Sequence, residues 1–183
     1  MKDIELRRWS RDEYDQMVAT GIFPPGERVE LIDGEILAVT PQGSAHATGI
    51  QLAADALRAS FGSGVVVRAQ LPMAAGTHSE PEPDIAVVRG TPRDYREAHP
   101  TSALLIVEIA DATLDYERQR KGSLYARAGV QDYWIVNLND RCVEMYRDPD
   151  QASYRFSCRF MPGETISPLA APGAQIAVSD ILP

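Results

Sequence analysis

Apolar and polar positions alternate along this chain in short, separable stretches. Ser10-Arg11-Asp12-Glu13 sets a serine three residues ahead of a glutamate, the pattern of a capping box. It predicts a helix to about Thr20, stopped by Gly21. Ile22 to Gly26 reads as a connector. Arg28–Ile32 alternates, Asp33-Gly34 marks a tight turn, and Glu35–Val39 alternates again, which predicts a β-hairpin. From Ser44 to about Ser60 the apolar residues Ile50, Leu52, Ala53, Ala56 and Leu57 follow helical spacing. Val65–Leu71 is a β-branched strand. Met73–Glu82 reads as a loop, and Asp84–Val88 as a short apolar strand headed by a carboxylate.

Leu104–Asn137 organises the rest, and it reads as strand, helix, strand. Leu104–Ala110 is apolar on both faces apart from Glu108, as in a strand covered on both sides. A short helix is expected before it at Asp94–Ala98. After it come a helix from about Asp115 to Ala128, a stop at Gly129 and a strand at Asp132–Asn137. The last quarter predicts strands at Cys142–Tyr146, Tyr154–Phe160 and Val178–Leu182, with turns at Leu138-Asn139-Asp140 and Asp148-Pro149-Asp150. No repeat, low-complexity tract or linker interrupts this series. The expected fold is one α/β domain over residues 1–183, built around a mixed β-sheet with additional β-hairpins.

Composition narrows the function classes. A chain of 183 residues suits one domain with a sizeable core. With 44% hydrophobic and 24% charged residues it falls among ordinary soluble globular proteins. No run of 18 apolar residues exists, so no membrane span is expected. Met1–Glu5 has no apolar core or cleavage pattern, so a cytoplasmic location is expected. Cys142 and Cys158 have neither a disulfide framework nor zinc spacing and read as buried free thiols in strands. The net charge of −8 argues against a protein that mainly grips nucleic acid non-specifically. It leaves room for a local basic face, because Arg118, Arg120, Lys121 and Arg127 gather on one helix.

The candidate chemistry is acidic. Pro83 disfavours helix at Glu82 and fixes the start of the strand headed by Asp84. If the Asp84 and Glu108 strands are neighbours, both carboxylates meet at one edge of the sheet. Oxygen donors of this kind suit Mg²⁺ or Mn²⁺, which keep several waters and use one or two carboxylates. The competing reading is a helix cap or an ion pair. Lys121 could orient or deprotonate a water, or stabilise an oxyanion, or stand solvated on its helix. Tyr116, Gln119 or Arg120, and Ser123 are spaced to line one helical face. Glu30 is either a further acidic ligand or an exposed strand residue. His46 is either a phosphate contact or a donor to a residue that holds the metal, or a helix-start residue bonded to backbone. His78 and His99 lie in loops without metal spacing. Phosphate-loop, dinucleotide-binding and nucleophile-elbow motifs are absent.

Taken together, several stretches resemble a known family. They are Val29-Glu30-Leu31-Ile32-Asp33-Gly34-Glu35, His46, Pro83-Asp84-Ile85-Ala86-Val87-Val88, Val107-Glu108-Ile109-Ala110, Lys121, and Leu124–Val136 with its Tyr-Ala-Arg-Ala-Gly-Val-Gln-Asp-Tyr-Trp core. In this order they resemble the small bacterial putative restriction endonucleases of the PD-(D/E)XK nuclease superfamily. The resemblance runs from about Glu27 to Tyr146. It implies a restriction-endonuclease-like mixed β-sheet flanked by helices, and a Mg²⁺ (or Mn²⁺) site at Asp84 and Glu108 with Glu30 as a further acid. Two positions depart from the pattern. Ala110 stands where the superfamily carries its lysine, which makes Lys121 the implied substitute. Glu117 stands where this branch tends to carry aspartate. The expected function is a divalent-metal-dependent DNA endonuclease with Asp84, Glu108, Lys121 and Glu30 as catalytic residues. It would act on DNA, and cutting both strands would favour a homodimer. The alternatives are a non-catalytic nucleic-acid- or protein-binding module on the same scaffold, and a hydrolase of small phosphate esters.

Overall fold

The structure, a computed structural model, describes residues 6–183. Met1–Glu5, on which the expectation of a cytoplasmic location rests, lie outside the described residues.

Helix α1 (Arg11–Thr20) starts on the expected capping box: Ser10 Oγ accepts from the Glu13 N–H, and the Glu13 carboxylate accepts from the Ser10 N–H at 2.9 Å. It ends on Gly21 in the left-handed conformation. Strands β1 (Val29–Ile32) and β2 (Glu35–Ala38) form the predicted hairpin. Asp33 and Gly34 both have positive φ, 51° and 77°, as a type I′ turn requires. Glycine is needed at 34 for a second reason, since a Cβ there would come within 2.7 Å of Arg8 Cβ. The hairpin is a sheet of its own, beside the main sheet.

Helix α2 (Ser44–Ser60) has the predicted bounds. The main sheet has six strands: β3 (Val65–Ala69), β4 (Ile85–Arg89), β5 (Leu105–Ala110), β6 (Asp132–Asn137), β7 (Cys142–Asp150) and β8 (Ser153–Phe160), in that spatial order. All neighbours are antiparallel except β5 and β6. A parallel pair needs a crossover, and helix α3 supplies it. Three segments run without a break in α3: Leu114–Tyr116, a π-helical turn at Glu117–Lys121, and Gly122–Arg127.

Both faces of β4, β5 and β6 are buried, as their largely apolar runs require. On one face Ile85, Val87, Val107, Ile109, Trp134 and Val136 pack with Ile50, Ala53 and Leu57 of α2. On the other, Ala86, Val88, Ile106, Ala110, Tyr133 and Ile135 pack with Leu124 and Tyr125 of α3. Period-2 alternation puts Asp84 and Glu108 on this second face.

Four local expectations are corrected. β7 does not turn at Asp148-Pro149-Asp150 but runs through to Asp150, where it pairs with Ser153. Pro149 lies beyond Asp132↔Arg147, the last β6–β7 pair, so β7 has β8 as its only strand neighbour there and a proline is tolerated. Val178–Asp180 is a 3₁₀ turn rather than a strand. The buried residues Val178, Ile181 and Leu182 are spaced three and one apart, which is helical and not alternating. A small sheet of β9 (Thr165–Ile166) and β10 (Ile176–Ala177) forms just before it. The short helix before β5 is a 3₁₀ turn at Pro92–Tyr95. Cys142 is buried, but Cys158, on the edge strand, is exposed. Among the described residues no helix is long and apolar enough to cross a membrane.

Candidate active site

The site begins at a seam in the sheet. β4 and β5 pair up to Ile85↔Val107, and Asp84 and Glu108 stand one step further along. There the side chains take over the ladder. The Asp84 N–H donates to Glu108 Oε2 at 3.1 Å, and the Ile109 N–H donates to Asp84 Oδ2 at 2.9 Å. Each acid therefore holds the neighbouring strand, and the Glu108 carboxylate also faces α3.

Helix α3 brings the counter-charge. Lys121 Nζ lies 3.1 Å from Glu108 Oε1, 3.7 Å from Glu30 and 3.8 Å from Glu117. Tyr125 donates its hydroxyl to the same Glu108 oxygen at 2.6 Å. Glu117, Lys121 and Tyr125 are each four residues apart. In a regular α-helix that spacing drifts by about 40° per step. The wider π turn at Glu117–Lys121 counters this drift, and such turns recur at functional sites. The Tyr133 hydroxyl donates to the Glu117 carbonyl at 3.0 Å and anchors the turn to β6.

The hairpin brings Glu30. Arg120 donates to the Ile32 carbonyl at 3.2 Å and pairs with Glu35, and Arg127 pairs with Asp33 at 2.6 Å. An isolated bridge joins Leu31 to Glu80. These contacts lay β1 against α3, and Glu30 is only 6% exposed. From the other side, the first turn of α2 places His46 Nε2 3.0 Å from Asp84 Oδ2. The contact is off the hydrogen-bond line, so that nitrogen has no true hydrogen-bond partner. Gly49, one turn further on, lets α2 sit this close: a Cβ there would lie 3.0 Å from Ile109 Cγ2.

Asp84, Glu108, Lys121, Glu30 and His46 thus line one cleft of about 130 Å³, together with Glu117. Among these six residues four carboxylates face one ammonium and one imidazole, and Glu82, Asp111 and Arg28 add two further acids and one cation to the lining. Burial pushes the Glu108 carboxyl up to about 7, with Lys121 and the Tyr125 hydroxyl opposing the shift and Asp84 and Glu30 adding to it. Burial also raises Glu30 and, more strongly, Glu117, where the Glu108 charge adds to the effect. For Lys121, burial alone would lower the pKa. The carboxylates of Glu108, Glu117 and Glu30 reverse this and hold it well above the ordinary lysine value. Burial lowers His46 as well, but the Asp84 carboxylate outweighs it and the net shift is upward.

Two residues that shape the site, Glu117 in the cleft and Tyr125 buried behind Glu108, escaped the sequence reading. Glu117 was visible only as a departure from a family pattern, and Tyr125 only as part of a motif. Their shared signal is the four-residue spacing about Lys121. The expected face of Tyr116, Gln119 or Arg120, and Ser123 is not the one that lines the cleft as a unit. Gln119 is exposed, Arg120 turns to the hairpin, and Ser123 accepts from Arg127. His78 and His99 lie elsewhere, beside Thr77 and Glu80.

A second acidic group, Asp140, Cys142 and Glu144, brings three ligand atoms within 4.8 Å of one another. It is an ion-pair network. Glu144 accepts two hydrogen bonds from Arg118, at 2.5 and 2.9 Å, and one each from Asn137 and Tyr146. Burial would raise its pKa, but the Arg118 guanidinium overrides this and holds it down at about 2. The cleft differs in that its acids outnumber its cations.

A six-stranded mixed sheet flanked by helices, with paired acids at the seam of two central strands, is the fold of restriction-endonuclease-like nucleases. The family model "Uma2: Putative restriction endonuclease" matches residues 11–179, and the chain belongs to that family. The fold is also similar to the crystal structure of a putative nuclease belonging to DUF820 from Anabaena variabilis ATCC 29413. The TM-score is 0.71 at 18% identity, over 94% of this chain and 96% of that one. No curated protein matches.

Proposed function

We propose that this protein is a divalent-metal-dependent DNA endonuclease that hydrolyses phosphodiester bonds in the cleft between α3 and the β4–β5 seam. The observation that carries this reading is the excess of buried carboxylate over cation around Lys121. Glu30, Asp84, Glu108 and Glu117 are hard oxygen donors, and buried acids in this number call for a compensating cation. The donor set fits Mg²⁺ (or Mn²⁺), held by Asp84 and Glu108 and assisted by Glu30. When bound, the metal polarises a phosphoryl oxygen and lowers the pKa of a bound water.

The protein groups divide the remaining work. Tyr125 and the Asp84 N–H fix the rotamer of Glu108 through its two oxygens. The carboxylates around Lys121 favour its ammonium form in the empty cleft, and Lys121 would offer hydrogen bonds and charge to the transition state. His46, beside Asp84, would contact a substrate phosphate or orient the Asp84 carboxylate. In this reading residues 1–183 act as one cytoplasmic domain, and two copies related by a two-fold axis would cut both strands.

Nicking of supercoiled plasmid by the purified protein with Mg²⁺ or Mn²⁺ tests the proposal, alongside Asp84→Asn, Glu108→Gln and Lys121→Ala. Each substitution is expected to lower the rate by about 100-fold or more, the scale of removing a preorganised electrostatic group, with circular dichroism unchanged. Equal nicking by all four proteins would mean the cleft does no cleavage.

A further inference from the structure

The proposed metal ligands come from the sheet and the hairpin, and they leave one buried acid without a task. Glu117 is 6% exposed and lines the cleft. Its Oε2 is sealed from solvent and receives no hydrogen bond. The nearest cation, Lys121 Nζ, is 3.8 Å away and lies closer to both Glu108 and Glu30. A buried carboxylate with no donor costs folding stability, and the Glu108 charge nearby adds to that cost. For packing alone, a glutamine at 117 would serve better. The π turn nevertheless presents this side chain on the same face as Lys121.

We propose that Glu117 is a further cation-holding residue, which turns its unpartnered oxygen toward a Mg²⁺ or Mn²⁺ ion in the cleft alongside Asp84 and Glu108. Helix α3 then supplies both the ammonium and one carboxylate donor, and the ion joins the helix to the β4–β5 seam. A hard divalent cation is the class this donor set selects. The inference rests on the reading of the cleft as a metal site, and its test separates the two.

Mn²⁺ alone is titrated into the full chain, with binding followed by calorimetry and by loss of the free-ion paramagnetic signal. The proteins are the unsubstituted chain, E117Q, E117D and D84N, and each is also melted without metal. E117Q is expected to bind Mn²⁺ about tenfold more weakly or worse, the lower end of what disturbed metal-site groups cost. Its metal-free melting temperature should be unchanged or higher. E117D keeps the charge one methylene further back and should bind with intermediate affinity. The inference is overturned if E117Q binds within about twofold of the unsubstituted chain while D84N is weakened. It is equally overturned if E117Q fails to fold or melts well below the unsubstituted chain, because the carboxylate is then structural. Absence of Mn²⁺ binding by the unsubstituted chain would remove the metal reading of the whole cleft.

Discussion

Glu108 shows how one residue's surroundings set both its charge and the stability of the fold. In the native protein its carboxyl is raised to about 7, from an ordinary value of 4.5, chiefly by burial. Glu80, buried near Arg11 and His99, is raised to about 7 for the same reason. Between these two values the native state keeps protons that the unfolded chain has released. The metal-free protein should therefore lose stability as pH rises from about 4.5 to about 7. Glu144 acts in the opposite sense at the acid end. Its lowered pKa contributes stability above 4.5 that is lost as pH falls toward 2. Thermal melts of the metal-free protein should thus peak in mildly acidic buffer and decline by pH 8. Mn²⁺ should recover the loss at pH 8. Glu80→Gln should flatten the decline without changing the response to metal, whereas Glu108→Gln should change both. An unchanged melting temperature from pH 5 to 8 would contradict the burial argument. The sequence made Glu108 conspicuous, since a carboxylate inside an apolar strand is rare. It could not make Glu117 so, because a glutamate on a polar helix face looks solvated until the hairpin has closed over it.

At the level of elements, the helix that carries Lys121 is held by contacts the chain's local pattern does not reveal. A π turn has no hydrophobic signature of its own. It depends on Tyr133, sixteen residues away, reaching the Glu117 carbonyl. Tyr133→Phe should cost about 1 kcal/mol, the usual worth of one hydrogen bond. It should also weaken Mn²⁺ binding more than that modest loss of stability suggests, as paired melts and titrations would show. Helix α2 was legible to the residue, because its apolar spacing and flanking breaks agree. Its closeness to β5 was not legible, since Gly49 reads merely as a weak helix former. Gly49→Leu should lower stability by about 1–3 kcal/mol through overpacking against Ile109, measured by urea denaturation. An unaltered midpoint would show that the contact yields freely. The C-terminal segment was misjudged because a single helical turn and a short alternation look alike over five residues.

On the scale of the whole molecule, the cleft is assembled from three separately built parts: the seam of the main sheet, the crossover helix and a hairpin in its own sheet. Strand existence and the sheet's mixed character followed from the apolar runs. The docking of the hairpin did not, because it depends on Arg120 and Arg127 meeting Glu35 and Asp33 across more than eighty residues of chain. Exposed pairs of this kind are each worth about 0–1 kcal/mol. Replacing both arginines with alanine should therefore barely move the melting temperature, yet speed amide exchange across Glu30–Leu37 and weaken metal binding. Normal exchange in that double variant would mean that the Leu31–Glu80 bridge holds the hairpin unaided.

The seam between β4 and β5 has a bearing on descent. Asp84 and Glu108 close the gap between two strands as well as facing the cleft, so selection for a sound fold would keep them even in a lineage without the proposed nuclease activity. Their retention in a genome is therefore poor evidence that the chemistry survives. Glu117 has one oxygen without a hydrogen bond and only a 3.8 Å contact to Lys121, so its side chain gives the fold little while the cleft is empty. On the proposed metal role, genetic drift would remove it early once that role was lost, and its presence would be the better sign of the proposed activity.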